Sequence, residues 1–147
     1  MPDHLRLTLM PDDDGTAELH AEVVANGFCG RSFAWFNVSA IADLANTLGE
    51  AIPLSEAVEL RGGYWGRKSG DGLTEEHLAL RFYSSREVVG CQVRLATPSH
   101  EHSRPEELHR VHAELATSYQ ELQQFSASLL NLASGQASEA VLHAVAV

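Results

Sequence analysis

The chain is poor in the residues that staple small proteins together. Cysteine occurs only twice, as Cys29 and Cys91, each inside an apolar strand pattern. They are expected to be small buried thiols in a reducing compartment, with no disulfide between them. Lysine is almost missing: Lys68 is the lone lysine among ten basic residues, against twenty acidic ones. The net charge of −10 argues against a phosphate backbone as partner, because nucleic-acid affinity comes largely from basic side chains. It suits a basic protein partner, or solubility alone. No apolar run approaches the ~18 residues of a membrane span. The opening Met1-Pro2-Asp3-His4 has neither the basic nor the apolar segment of a secretory leader. The expectation is a cytoplasmic protein that engages neither membrane nor nucleic acid.

Catalytic signatures are equally scarce. There is no G-x-S-x-G and no H-E-x-x-H, and neither cysteine has an adjacent histidine to activate it. The triplet Asp12-Asp13-Asp14 lacks the alternating spacing and terminal glutamate of a calcium loop, so it reads as a turn closed by Gly15. The segment Arg61 to Gly72 is rich in glycine, but Gly62-Gly63-x-x-Gly66 matches no phosphate-binding fingerprint, and a strand pattern follows it. No cofactor is implied, and no catalytic or metal-ligating residue is assigned.

What is present is a plan of elements. Helix two opens with Ser118-Tyr119-Gln120-Glu121, the S-x-x-E spacing of a capping box. Leu122, Phe125, Leu129 and Leu132 then form one apolar helical stripe, and Gly135 stands where a left-handed residue ends a helix. The same ordering occurs earlier. Asn37 is the cap, Val38, Ile41, Leu44 and Leu48 the stripe, and Gly49 the stop. A Ser-Glu-Ala-Val string follows each helix, at 55–58 and at 138–141.

Around the helices the polarity alternates as in half-buried strands. Leu5, Leu7 and Leu9 form one such set, and Leu19, Ala21 and Val23 another. Asn26-Gly27 turns the chain into a strand from Phe28 to Phe36, which leads into the first helix. Ala57 to Trp65 is the next strand. Leu78, Leu80 and Phe82 then alternate, as do Val89, Cys91, Val93 and Leu95. The segment 106–117 is compatible with helix or strand. Strand is preferred, because the cap at Ser118 needs an extended backbone. The expected fold is α+β: an antiparallel sheet of about six to eight strands with two helices, ordered β-β-β-α-β twice over. One domain spans 1–147, with pseudo-repeats at 1–65 and 74–147 and enough chain to bury ~70% of its unfolded surface.

Two segments carry functional suggestions. Tyr64, Trp65 and Arg67 are of the types that dominate protein interfaces, and the aspartates at 12–14 supply steering charge for a basic partner. His100, His102, His109 and His112 fall close together, which leaves open a small enzyme or metal-binding protein with a pocket near 100–112. A self-associating structural domain, as a homodimer, is the third reading.

The strand Leu78 to Phe82, the strand Gly90-Cys91-Gln92-Val93-Arg94-Leu95 and the late strand entering Ser118-Tyr119-x-x-Leu122-x-x-Phe125-x-x-x-Leu129 together resemble small bacterial immunity proteins of the WapI-like kind. That resemblance implies a non-enzymatic protein that binds and blocks a cognate toxin domain, commonly a nuclease, in the cell that makes it.

Overall fold

A computed structural model describes residues 2–50, 53–66, 70 and 72–146. The elements run β1 (His4–Pro11), β2 (Thr16–Ala25), β3 (Phe28–Asn37), α1 (Val38–Glu50), β4 (Val58–Trp65), β5 (Leu73–Ser85), β6 (Val88–Ala96), β7 (Arg110–Thr117), α2 (Tyr119–Ala133) and β8 (Ala140–His143), with a short 3-10 turn at Pro105–Glu107. The fold is α+β, and the order β-β-β-α-β occurs twice. The eight strands divide into two four-stranded sheets, where the sequence suggested one: β3-β2-β1-β8 and β4-β5-β6-β7, antiparallel throughout. Each half therefore gives its last strand to the sheet of the other half. No helix among the described residues is long and apolar enough to cross a membrane.

The alternation in sequence is what drives the two sheets together. Leu5, Leu7, Leu19, Ala21 and Val23 are buried on one sheet, and Leu78, Leu80, Phe82, Cys91, Val93 and Leu115 on the other. A period of two places each set on one face, and burying those faces together removes the apolar surface from water. Strand β3 crosses the second sheet from edge to edge. Its Gly30 lies against Val111 of β7, the Ser32 hydroxyl donates to the Ala96 carbonyl at the end of β6, and Phe36 sits over Gly62 of β4. Gly62 is small by necessity, since a Cβ there would fall 2.5 Å from the Phe36 ring.

The helices seal the core by packing on each other and on both sheets. Ile41, Leu44 and Leu48 of α1 and Leu122, Phe125, Leu129 and Leu132 of α2 are buried, as their spacing requires, and the Phe125 ring lies 6.1 Å from that of Phe82. They approach closely where side chains are small. The Ser126 hydroxyl donates to the Ala45 carbonyl at 2.6 Å across 81 residues of sequence. Gly49 lies beside that contact, where a Cβ would come within 2.7 Å of Ser126 Oγ. Gly49 is therefore not the stop that the sequence suggested: α1 continues through it to Glu50, and the missing side chain makes room for α2.

The second helix ends as expected. Ser118 is extended and accepts a bond from the Glu121 amide, while Gly135 adopts φ +80° and its amide bonds the Leu132 carbonyl. The alternative of a helix over 106–117 is excluded, for β7 pairs along its whole length with β6.

Positions match between the halves with the separation set by the helices. Gly30 touches Val111 and Ala45 touches Ser126, each pair being equally far apart in sequence, and Asn37 and Ser118 both immediately precede a helix. Contacts between matching residues arise where a two-fold axis would pass. The Ser-Glu-Ala-Val strings both lead into a last strand but do not match residue for residue. Val58 stands opposite Phe82, whereas Val141 stands opposite Arg6, so the strings enter their sheets out of step.

Phe125→Ala would leave a cavity where the two helices meet the second sheet. We expect a loss of about 3–5 kcal/mol, a large share of the roughly 5–15 kcal/mol available to a domain. Urea melts measure it, and a loss below about 1 kcal/mol would contradict the packing described.

Candidate functional site

Two edge strands from different sheets, β3 and β4, bound an open cleft of about 400 Å³ lined by Thr16, Trp35, Asn37, Ala40, Leu60, Arg61 and Trp65. Strand parity puts the tryptophans there. Ala34 and Phe36 point into the core, so Trp35 between them must point out, and it is 50% exposed. Trp65 ends β4 just beyond an irregularity in its pairing with β5 and is 55% exposed. Exposed indoles are costly in water unless something covers them, and tryptophan and arginine dominate interface energetics.

The acidic turn adjoins the same cleft. Thr16 is paired with Asn37, so residues 12–15 sit at the cleft end of β2. The turn is ordered by its own side chains: Asp12 accepts from the Asp13 amide, and Asp14 accepts from both the amide and the hydroxyl of Thr16. The Thr16 bonds hold the Asp14 carboxyl below its ordinary range, so it stays charged. Glu18 stands across from Trp35, and Glu59 lies on β4. Arg61, the cation of the cleft, is held by Glu76 at 2.8 Å and Glu59 at 3.4 Å. The field at the mouth is therefore acidic.

The structure brings Trp65 and the turn Asp12, Asp13, Asp14 to one place, and it adds Trp35, which sequence reasoning treated only as a neighbour of the helix cap. Its outward parity relative to Ala34 and Phe36 was the available signal. Tyr64 points elsewhere: its ring meets His77 edge-on at 4.4 Å and its hydroxyl donates to the Ser99 carbonyl. Arg67 lies outside the described residues. Cys29 also departs from expectation. It is exposed, because it shares the outward parity of Trp35, whereas Cys91 is fully buried and burial pushes its thiol up.

A second polar cluster fastens the 97–104 loop to β5. Glu75 accepts from the Ser99 hydroxyl and amide and from His77 Nε2–H. These bonds, Ser99 first and His77 next, hold the Glu75 carboxyl at about 2. The three residue types are those of a hydrolytic triad, but the order is wrong. The acid lies between serine and histidine, so the serine hydroxyl donates to a carboxylate and the imidazole does not face it. The cluster serves as a clasp.

Beside it, Glu76 is gripped by Arg94 and Arg61 across the outer face of the second sheet, and Arg94, Arg110 and His112 line a shallow hollow there. His100 and His102 lie in the exposed loop before the 3-10 turn, and His109, just before β7, and His112, on it, are exposed. Among the described residues no group of three or more histidine, cysteine or acidic side chains is placed to hold a metal ion. Compared with known protein families, curated proteins and solved structures, the chain matches none.

The Glu75 clasp sets a pH dependence. A carboxyl held below its ordinary 4.5 contributes stability that is present above that value and lost as pH falls towards about 2. Glu75→Gln should lower stability at neutral pH and flatten the acid limb of the stability profile over that window. Urea melts across the window measure it, and an unchanged acid limb would show that the clasp contributes nothing.

Proposed function

We propose that this chain is a non-enzymatic cytoplasmic binding protein that neutralises a basic protein partner, in the manner of a bacterial immunity protein against a toxin domain. In this reading the matching β-β-β-α-β units are an internal duplication that supplies a rigid platform. The observation that carries the proposal is the convergence of two half-exposed tryptophans and an ordered acidic turn on one cleft. An excess of acidic residues over the whole chain, with net charge −10, favours a basic partner at long range. Such a field accelerates encounter and weakens as salt screens it. The indoles then set the lifetime of the complex, because apolar anchors act on dissociation.

The two contributions separate on mutation. Replacing Asp12, Asp13 and Asp14 by asparagine should slow association by about tenfold at low salt and leave dissociation nearly unchanged. Trp65→Ala should speed dissociation by about tenfold or more with little change in association. The measurement is capture of partners from the native cell by the full chain, then binding rates of the captured protein across ionic strength. Failure to capture any basic protein, or turnover of a small molecule by the purified chain, would defeat the proposal.

A further inference from the structure

The tryptophan cleft has a twin, and the chain itself fills the twin. In the second half the cleft would lie between β7 and the residues after β8, matching β3 and the end of β4. There the backbone past β8 reaches β7 and bonds it. Val145 donates its amide to the Ala116 carbonyl at 2.9 Å, and Thr117 Oγ1 donates to the His143 carbonyl at 2.8 Å. Ala116 matches Trp35, and Thr117 matches Phe36, by the separation that joins Ala45 to Ser126.

In the first half no such closure is made among the described residues. Among those residues β3 pairs only with β2, and β4 only with β5. The two-residue turn Asn26-Gly27 makes Ala25 and Phe28 a hydrogen-bonded pair. Pairs alternate along an antiparallel ladder, so the amide and carbonyl of Arg31, Phe33 and Trp35 point away from β2, to the free edge. The Trp35 carbonyl is thus the counterpart of the Ala116 carbonyl that takes the Val145 amide. One cleft is closed by small residues and a backbone bond. Its twin presents the same acceptor, two indoles and an acidic rim.

We infer that the open cleft receives an extended segment of the partner, bonded to the free edge of β3 as Val145 is bonded to Ala116 of β7, with a lysine or arginine side chain between Trp35 and Trp65. This rests on the binding-protein reading above and specifies its mode. Backbone bonds to a sheet edge give affinity for any extended chain, and side chains at alternate positions select among them. A cation over an indole face is attracted by the ring quadrupole, more so as water is excluded. Asp12, Asp13 and Asp14, on the turn that precedes the cleft residue Thr16, provide the matching charge, and Arg61 is neutralised by Glu59 and Glu76. The twin arrangement is the reason for choosing an extended peptide over a helix or a small molecule.

The test uses the full chain and three blocked hexapeptides: alternating arginine and valine, alternating glutamate and valine, and the arginine peptide N-methylated on alternate amides so that one edge cannot donate. Binding is followed by two-dimensional amide NMR and by tryptophan fluorescence. We expect the arginine peptide to shift both indole N–H signals and the amides of residues 31–37. The other two peptides should bind about tenfold or more weakly. Trp35→Ala and Trp65→Ala, both at exposed positions, should each weaken the arginine peptide by about tenfold while leaving the fold unchanged by circular dichroism. Equal binding of the N-methylated peptide, shifts confined to another surface, or no binding at millimolar peptide would overturn the inference. A captured basic partner whose footprint avoids residues 31–37 and 61–65 also overturns it while the binding-protein reading survives. Peptide binding at the cleft without any basic partner in the cell does the reverse.

Discussion

The exchange of last strands is the constraint on which this structure depends. Strand β8 completes the sheet begun by β1, and β4 completes the one begun by β5, so each half has its edge strand satisfied only by the other. A half alone would leave an unpaired strand and an uncovered apolar face, both expensive in water. The close helix crossing at Ala45, Gly49 and Ser126 follows from the same constraint. With the strands exchanged, both helices are drawn over the shared core, and only small residues let their backbones approach.

That arrangement also explains where the cleft is. Exchange brings the end of β4 beside the edge of β3, and at the matching position it brings the tail past β8 beside β7. Two equivalent clefts arise from topology, and the side chains then differentiate them. Alanine and valine let the chain close one. Tryptophans line the other. A chain with two matching units can thus close one cleft on itself and leave the other open.

The polar network is organised differently from the apolar core. Glu75 and Glu76, adjacent on β5, serve different segments: the first holds the 97–104 loop through Ser99, the second ties Arg61 and Arg94 across three strands. Glu76, Arg61 and Arg94 are thus bound to one another on the outer face of the second sheet. The aspartates of the turn at residues 12–15 accept bonds from Asp13 and Thr16 beside them and leave their negative charge facing solvent beside the cleft.

Strand alternation, the stripe and caps of α2, the turn at Asn26-Gly27 and the twofold order of elements were all legible in the sequence. Each is enforced by neighbours a few residues away, through a period of two, a period of 3.6 or the dihedral freedom of a single residue. The acidic turn and Trp65 were legible as surface for the same reason. Long-range placement was not. That the strands form two sheets, that each half lends its last strand to the other, and that Gly49 continues a helix all depend on residues far apart in sequence. The exposure of Cys29 is of the same kind, since an alternating pattern shows two faces without saying which one is buried. Trp35 joined Trp65 only because β3 crosses the second sheet, a geometry fixed by the packing of Gly30 on Val111 and Phe36 on Gly62. Local chemistry determined the elements, and the close packing of small residues between distant segments decided which side chains share a site.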